Sequence, residues 1–268
     1  MPKTLAVVSL KGGVGKTTTC TNLAAYVAAM GIPTLLVDLD VQNGVRFGVG
    51  LDDYAGLTLE DVLLHQGRPS EALVLTNRSE LSVVLSGRFT SDHALESYER
   101  TFEQDVTWLA RRLPHFTTPD FSPQLVLLDT PAGLGAVTTS AIVAADGLIL
   151  PIQCEPLSLR TLPPLLRRIV QLKAQYNPRL AIEGILLTMY DERQGAATDV
   201  VRQVREAFPG ELVFDTVIPR HEELSLSFAV GAPAVTLKTR AAGAQAYIQL
   251  GREIIMRLPE EVGYAMSG

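Results

Sequence analysis

The chain has 268 residues and a mass of 29.0 kDa, with 47% hydrophobic residues, 19% charged residues and a formal net charge of −6. That balance fits a folded globular protein and excludes a disordered one, and the acidic charge argues against a dedicated nucleic-acid coat while leaving room for a local basic patch. No apolar run approaches the ~20 residues that span a bilayer, and MPKTLAVVSL enters a β-type run without a signal-peptide cleavage pattern, so a cytoplasmic protein is expected.

In chain order, TLAVVSL (4–10) predicts a strand buried on both faces. The alanine-rich stretch 18–30 predicts a helix closed by Gly31. PTLLVDLD (33–40), LVLLDT (125–130), GLILPI (147–152), IEGILLTMY (182–190) and LVFDTVIP (212–219) predict further strands. Helices are expected over 157–176, 196–208 and 239–257. This alternation implies an α/β fold, a mostly parallel twisted sheet with helices on both faces, whose ligands bind at the carboxyl ends of the strands. Residues 52–122 are less regular. Thr58 with Asp61 predicts a helix N-cap, 81–86 a strand, 91–113 one long amphipathic helix containing Trp108, and the proline-punctuated 114–123 a surface loop. With no internal repeat, one domain over 1–268 is expected. Cys20 and Cys154, far apart and outside any CxxC pair, read as reduced structural thiols.

Between the first strand and helix lies LKGGVGKTTT (10–19). Gly12, Gly13 and Gly15 let successive backbone N–H groups turn inward without a Cβ in the way. The helix beginning near Lys16 adds its positive end at the same spot. Lys16 then reaches the β- and γ-phosphates of a nucleotide, and the Thr17 hydroxyl is placed for Mg²⁺. The general GxxxxGK[ST] pattern is not met, because Leu10 stands where its first glycine would be. The variant present is KGGxGKTT, with a second lysine, Lys11. That side chain leaves the loop before the phosphates are wrapped. It is poorly placed for its own nucleotide and well placed for that of a facing subunit, where it would stabilise transition-state charge as an arginine finger does.

This loop resembles that of the ParA/MinD family of ATPases, whose signature lysine falls at Lys11. VDLDVQ (37–42) is similar to the family's DxDPQ segment, with Val41 in place of the proline, and LVLLDTPAG (125–133) to its second acidic strand. The resemblance implies ATP held by Lys11, Gly12, Gly13, Val14, Gly15, Lys16, Thr17 and Thr18. It implies a water-orienting Asp40 and Mg²⁺ near Thr17, Asp38 and Asp129. It also implies a nucleotide-sandwich homodimer with Lys11 acting in trans. Segments 143–159, 186–193, 216–225 and 243–254 resemble the ParA/Soj partition branch, of the short type without its own operator-binding module.

For that branch the resemblance implies non-specific binding of double-stranded DNA by ATP-bound dimers, with Arg193 and Arg220 at the matching positions, and hydrolysis stimulated by a ParB-like adaptor. It implies nucleoid association, and adenine held near Pro219 and His221. No membrane role is expected, because the ending RLPEEVGYAMSG breaks a basic terminal helix at Pro259. Two other readings stay open on the same fold: a positioning ATPase on a protein or membrane surface, and an ATP-dependent small-molecule ligase or kinase.

Overall fold

The computed structural model describes residues 2–65, 67–78, 80–237 and 240–258. Eight strands form one sheet in the order β3-β4-β2-β5-β1-β6-β7-β8: β1 (Lys3–Val7), β2 (Thr34–Asp38), β3 (Val74–Leu75), β4 (Leu81–Val84), β5 (Leu125–Asp129), β6 (Gly147–Gln153), β7 (Ala181–Tyr190) and β8 (Val213–Pro219). All pairings are parallel except that of β3 with β4. The expected α/β architecture is therefore present. β2, β4, β5 and β6 are buried at every position, which is why they read as unbroken apolar runs and not as alternating ones.

One face of the sheet carries α1 (Lys16–Ala29), the short α2 (Gly44–Gly48), α9 (Glu222–Ala229), α10 (Ala234–Leu237) and the long α11 (Ala242–Arg257). The other carries α3 (Leu59–Leu64), α4 (Asp92–Gln104), α5 (Trp108–Arg112), α6 (Ala136–Ala144), α7 (Leu162–Gln175) and α8 (Gly195–Ala207). Thr58 does begin α3, with its backbone N–H and hydroxyl both donating to Asp61 Oδ2 at 2.8 Å. The irregular stretch 52–122 adds β3 and β4 to the sheet and supplies the aromatic chain Phe89–Tyr98–Phe102–Trp108 to the core.

Two expectations need correction. The helix expected over 91–113 breaks after Gln104. There the Asp105 carboxylate turns back on the chain, accepting from the Thr107 N–H at 3.1 Å and its hydroxyl at 2.7 Å while pairing with Arg111. Such a turn competes with the helical ladder for the same donors. The helix expected from 157 opens instead as a 3₁₀ segment, Pro156–Thr161, and becomes α-helical at Leu162, with Pro163 and Pro164 in the first turn, where a missing N–H costs nothing. The Pro259 breaker and Thr239, the first residue of the expected last helix, lie outside the described residues. Among the described residues no helix is long and apolar enough to cross a membrane.

At the β8 edge, side chains occupy the positions a further strand would use. Glu253 of α11 accepts from the Asp215 and Thr216 N–H groups at 3.0 and 2.9 Å, and Arg205 donates to the Asp215 carbonyl at 3.0 Å.

Candidate nucleotide site

The carboxyl ends of β1, β5 and β2 lie side by side, with Val7 opposite Asp129 and Asp129 opposite Asp38. The chain leaving β1 forms the glycine loop. Gly13 and Gly15 adopt φ of 72° and 88°, the left-handed region glycine enters freely. Gly15 is the N-cap of α1 and supplies no side-chain cap, and no acidic residue stands in the first turn. The leading N–H groups of a 14-residue helix are thereby left for an anion.

The loop is held from three sides. The Thr130 hydroxyl donates to the Val7 carbonyl at 2.7 Å, Gly133 N–H to the Ser9 carbonyl at 3.0 Å, and the Thr188 hydroxyl to the Val14 carbonyl at 3.0 Å. The Tyr247 hydroxyl, on α11, lies 3.2 Å from that of Thr19.

The two loop lysines are treated differently. Lys16 is buried, 7% exposed. The Lys11 side chain is 36% exposed, and its ammonium pairs with Glu155 Oε2 at 2.9 Å, two residues past the end of β6, and with Oε1 of Gln153, the last residue of that strand. Glu155 also faces Arg220, at 3.7 Å.

Asp129 is fully buried, and neither of its carboxylate oxygens has a hydrogen-bond partner. Burial raises its pKa, against the pull of the Thr17 hydroxyl and the Lys16 ammonium. Two orphaned carboxylate oxygens beside a hydroxyl form an all-oxygen donor set suited to a hard divalent cation such as Mg²⁺. Asp38 is equally buried, and desolvation together with the Asp129 charge raises its pKa too. Its oxygens already accept from the Asp40 N–H at 3.0 Å and the Val45 N–H at 3.3 Å. Asp38 thus ties down the loop that carries Asp40. The half-buried Asp40 accepts from the Gln42 N–H at 3.0 Å, and the Ser86 hydroxyl lies 3.0 Å from its carbonyl.

Beside the loop opens a cavity of about 560 Å³ lined by Gly15, Thr18, Met189, Pro219, His221 and Tyr247, among others. Its volume suits a nucleotide-sized ligand. Met189 sits at φ 54°, strained for a residue with a Cβ. Pro219 and His221, the positions expected to border an adenine, both line this cavity. Arg193 and Arg220 are brought to the same end of the sheet, but each has an acidic partner. Arg193 forks onto Asp191 at 2.8 and 3.0 Å, and Arg220 meets Glu155. A second cavity, about 550 Å³, lies at the opposite end of the strands, where Asp146 and Asn177 are committed to backbone groups.

Sequence reasoning missed Gln153, Glu155, Thr188 and Tyr247. The first two lie in the segment resembling ParA, yet nothing local marks them as partners of Lys11. Tyr247 reaches the loop only through the packing of α11 on α1.

Comparison with known proteins adds independent findings. Residues 2–182 match the model of an AAA domain family, AAA_31. The chain is 36% identical over 260 residues to the chromosome partitioning protein ParA of Caulobacter vibrioides, covering 95% of this chain and 94% of that one. It is 38% identical over 259 residues to the chromosome-partitioning ATPase Soj of Treponema pallidum, covering 96% and 98%. Among solved structures, the septum site-determining protein MinD of Pyrococcus horikoshii, complexed with Mg-ADP, superposes with a TM-score of 0.77 at 25% identity over 100% of both chains. A cobyrinic acid a,c-diamide synthase of Mycobacterium smegmatis with bound ADP and magnesium gives 0.76 at 32% identity over 94% and 93%.

Proposed function

The chain belongs to the ParA/Soj branch of the ParA/MinD family of ATPases, and on that premise we propose that it is an ATP-driven dimerisation switch that binds DNA without sequence preference and positions a chromosome, plasmid or other cargo through a ParB-like adaptor. Its nucleotide is ATP and its metal Mg²⁺, in keeping with the nucleotide and magnesium in the solved relatives. The observation that carries the reading is the division between the loop lysines, one buried beneath the glycine loop and one at the rim.

In this reading the backbone N–H groups of 12–17 and the Lys16 ammonium cradle the β- and γ-phosphates. Thr17 and Asp129 would hold Mg²⁺, which when bound would neutralise phosphate charge. Asp40 orients the attacking water, its loop fixed by Asp38. Lys11 leaves Glu155 and Gln153 to reach the phosphates of the facing subunit. The positive charge it brings there is present only in the dimer, so hydrolysis waits on dimerisation. Pro219 and His221 border the base.

The test is sedimentation of Asp40→Ala with ATP and Mg²⁺, with and without duplex DNA, over a salt series. The expected result is a trapped dimer that binds DNA of any sequence and releases it as salt rises. A protein that stays monomeric with ATP would refute the switch. A dimer indifferent to DNA would move its working surface to a protein or membrane. The likeness to a cobyrinic acid a,c-diamide synthase favours a second reading, an ATP-dependent ligase. Lys11→Ala separates the two, because a self-contained ligase has no use for a lysine supplied by a partner subunit.

A further inference from the structure

Residues 156–182 hold five of the chain's 23 Lys and Arg and none of its 29 Asp and Glu. The structure spreads these five over a 3₁₀ segment, α7 and the turn that follows it. Arg160 lies in the 3₁₀ segment beside Glu155, Arg167, Arg168 and Lys173 lie on α7, and Arg179 follows it. Leu162, Leu165, Ile169 and Leu172 face the core, while Arg160, Arg167, Lys173 and Arg179 are exposed and Arg168 is half-buried. Among the described residues none of the five makes an ion pair with a carboxylate. The arginines the sequence singled out for DNA are in the opposite condition. Arg193 is forked onto Asp191, and once Lys11 departs for a partner subunit, Glu155 is left to Arg220 alone. In a chain of net charge −6, the solvent side of 156–182 is thus a positive face to which the segment itself contributes no carboxylate.

We propose that this face, about 20 Å long, is where the ATP-bound dimer meets the phosphate backbone of duplex DNA. The inference rests on the DNA-switch reading and names its surface. The partner's chemistry follows from the charge pattern. Separated cations without carboxylate partners, fanned over the solvent side of α7 and its flanks, suit the phosphates of a duplex and carry no base-reading geometry, because phosphate pairing of this kind positions a protein without specifying sequence.

The experiment measures retention on a duplex of arbitrary sequence, with a non-hydrolysable ATP analogue and Mg²⁺, over a salt series. Wild type is compared with Arg167→Glu/Lys173→Glu/Arg179→Glu and with a charge-matched control on other helices, Arg100→Glu/Arg202→Glu/Arg252→Glu. Sedimentation with nucleotide verifies the dimer in each. If a triple variant fails to fold, the single changes Lys173→Glu and Arg179→Glu are read in its place. The α7 variant is expected to lose about 100-fold in affinity at low salt and to flatten the log K against log[salt] slope by about 0.9 for each phosphate it no longer neutralises. The control should stay within about threefold of wild type. Wild-type retention by the α7 variant would overturn the proposal and leave the DNA switch standing. Equal losses in both variants would overturn it too, reducing the effect to net charge. Wild-type binding to vesicles rich in anionic lipid, with none to DNA, would overturn the proposal and the switch reading together.

Discussion

Asp129 has both carboxylate oxygens sealed from water without a hydrogen bond. Leaving a buried polar group unsatisfied costs on the order of 1–3 kcal/mol. Asp129→Asn is therefore expected to raise the Tm measured in EDTA and to abolish the further rise that Mg²⁺ and ATP give wild type. An unchanged Mg²⁺ response would remove Asp129 from the metal's donors. Glu155 makes a complementary case. Its pair with Lys11 is more than one-third exposed on both sides, so it contributes less than about 1 kcal/mol. Glu155→Gln should leave Tm nearly unchanged while lowering the protein concentration at which ATP produces dimers, read by analytical ultracentrifugation. Lys16, Thr17 and Asp129 could be marked as candidates because each stands in a short local pattern. Glu155 could not, since an acid 144 residues from its lysine leaves no trace in spacing.

Among the elements, α2 shows how little room the site has. A Cβ on Gly44 would stand 2.9 Å from Thr17 Cγ2, so Gly44→Ala has to push α2 and the Asp40 loop away from the helix that carries the hydroxyl. Overpacking of this kind costs about 1–3 kcal/mol, and an approximately tenfold loss of affinity for a fluorescent ATP analogue is expected, with the fold retained. Affinity equal to wild type would mean that α2 plays no part in holding the site. β2, β4, β5 and β6 could be read ahead of the structure because burial on both faces makes each an apolar run. α2, α9 and α10 could not, being only 5, 8 and 4 residues long, too short for helical periodicity to emerge. The break at Asp105 was hidden for another reason. The amphipathic pattern continues across it, and only the folded chain reveals that the carboxylate has claimed Thr107 and Arg111.

For the whole molecule, the glycine loop is tied to β5, β7 and α11, which come from distant parts of the chain. A ligand bound there stabilises both helical layers and the sheet between them. A single thermal transition is expected, shifted upward by Mg²⁺ and ATP by about 2.7 kcal/mol when the nucleotide is 100 times its Kd. Two resolved calorimetric transitions, only one moving with nucleotide, would divide the chain into separate folding units. Sheet class and strand-end placement of the site followed from βα alternation alone. The layering of 52–122 did not, because a two-residue antiparallel strand leaves almost no mark in the sequence.

Open sheets are templates for their own growth, and both flanks of this one are blunted. One ends in a strand of two residues running against its neighbours, and at the other a carboxylate and a guanidinium sit where the next backbone would bond. Such blocked edges keep neighbouring copies from zipping together strand to strand. Polymers or clusters of this protein must then be built through side-chain faces, which salt and nucleotide can loosen, and not through a continuous ladder of backbone bonds, which they cannot. Whatever it assembles into should come apart on demand.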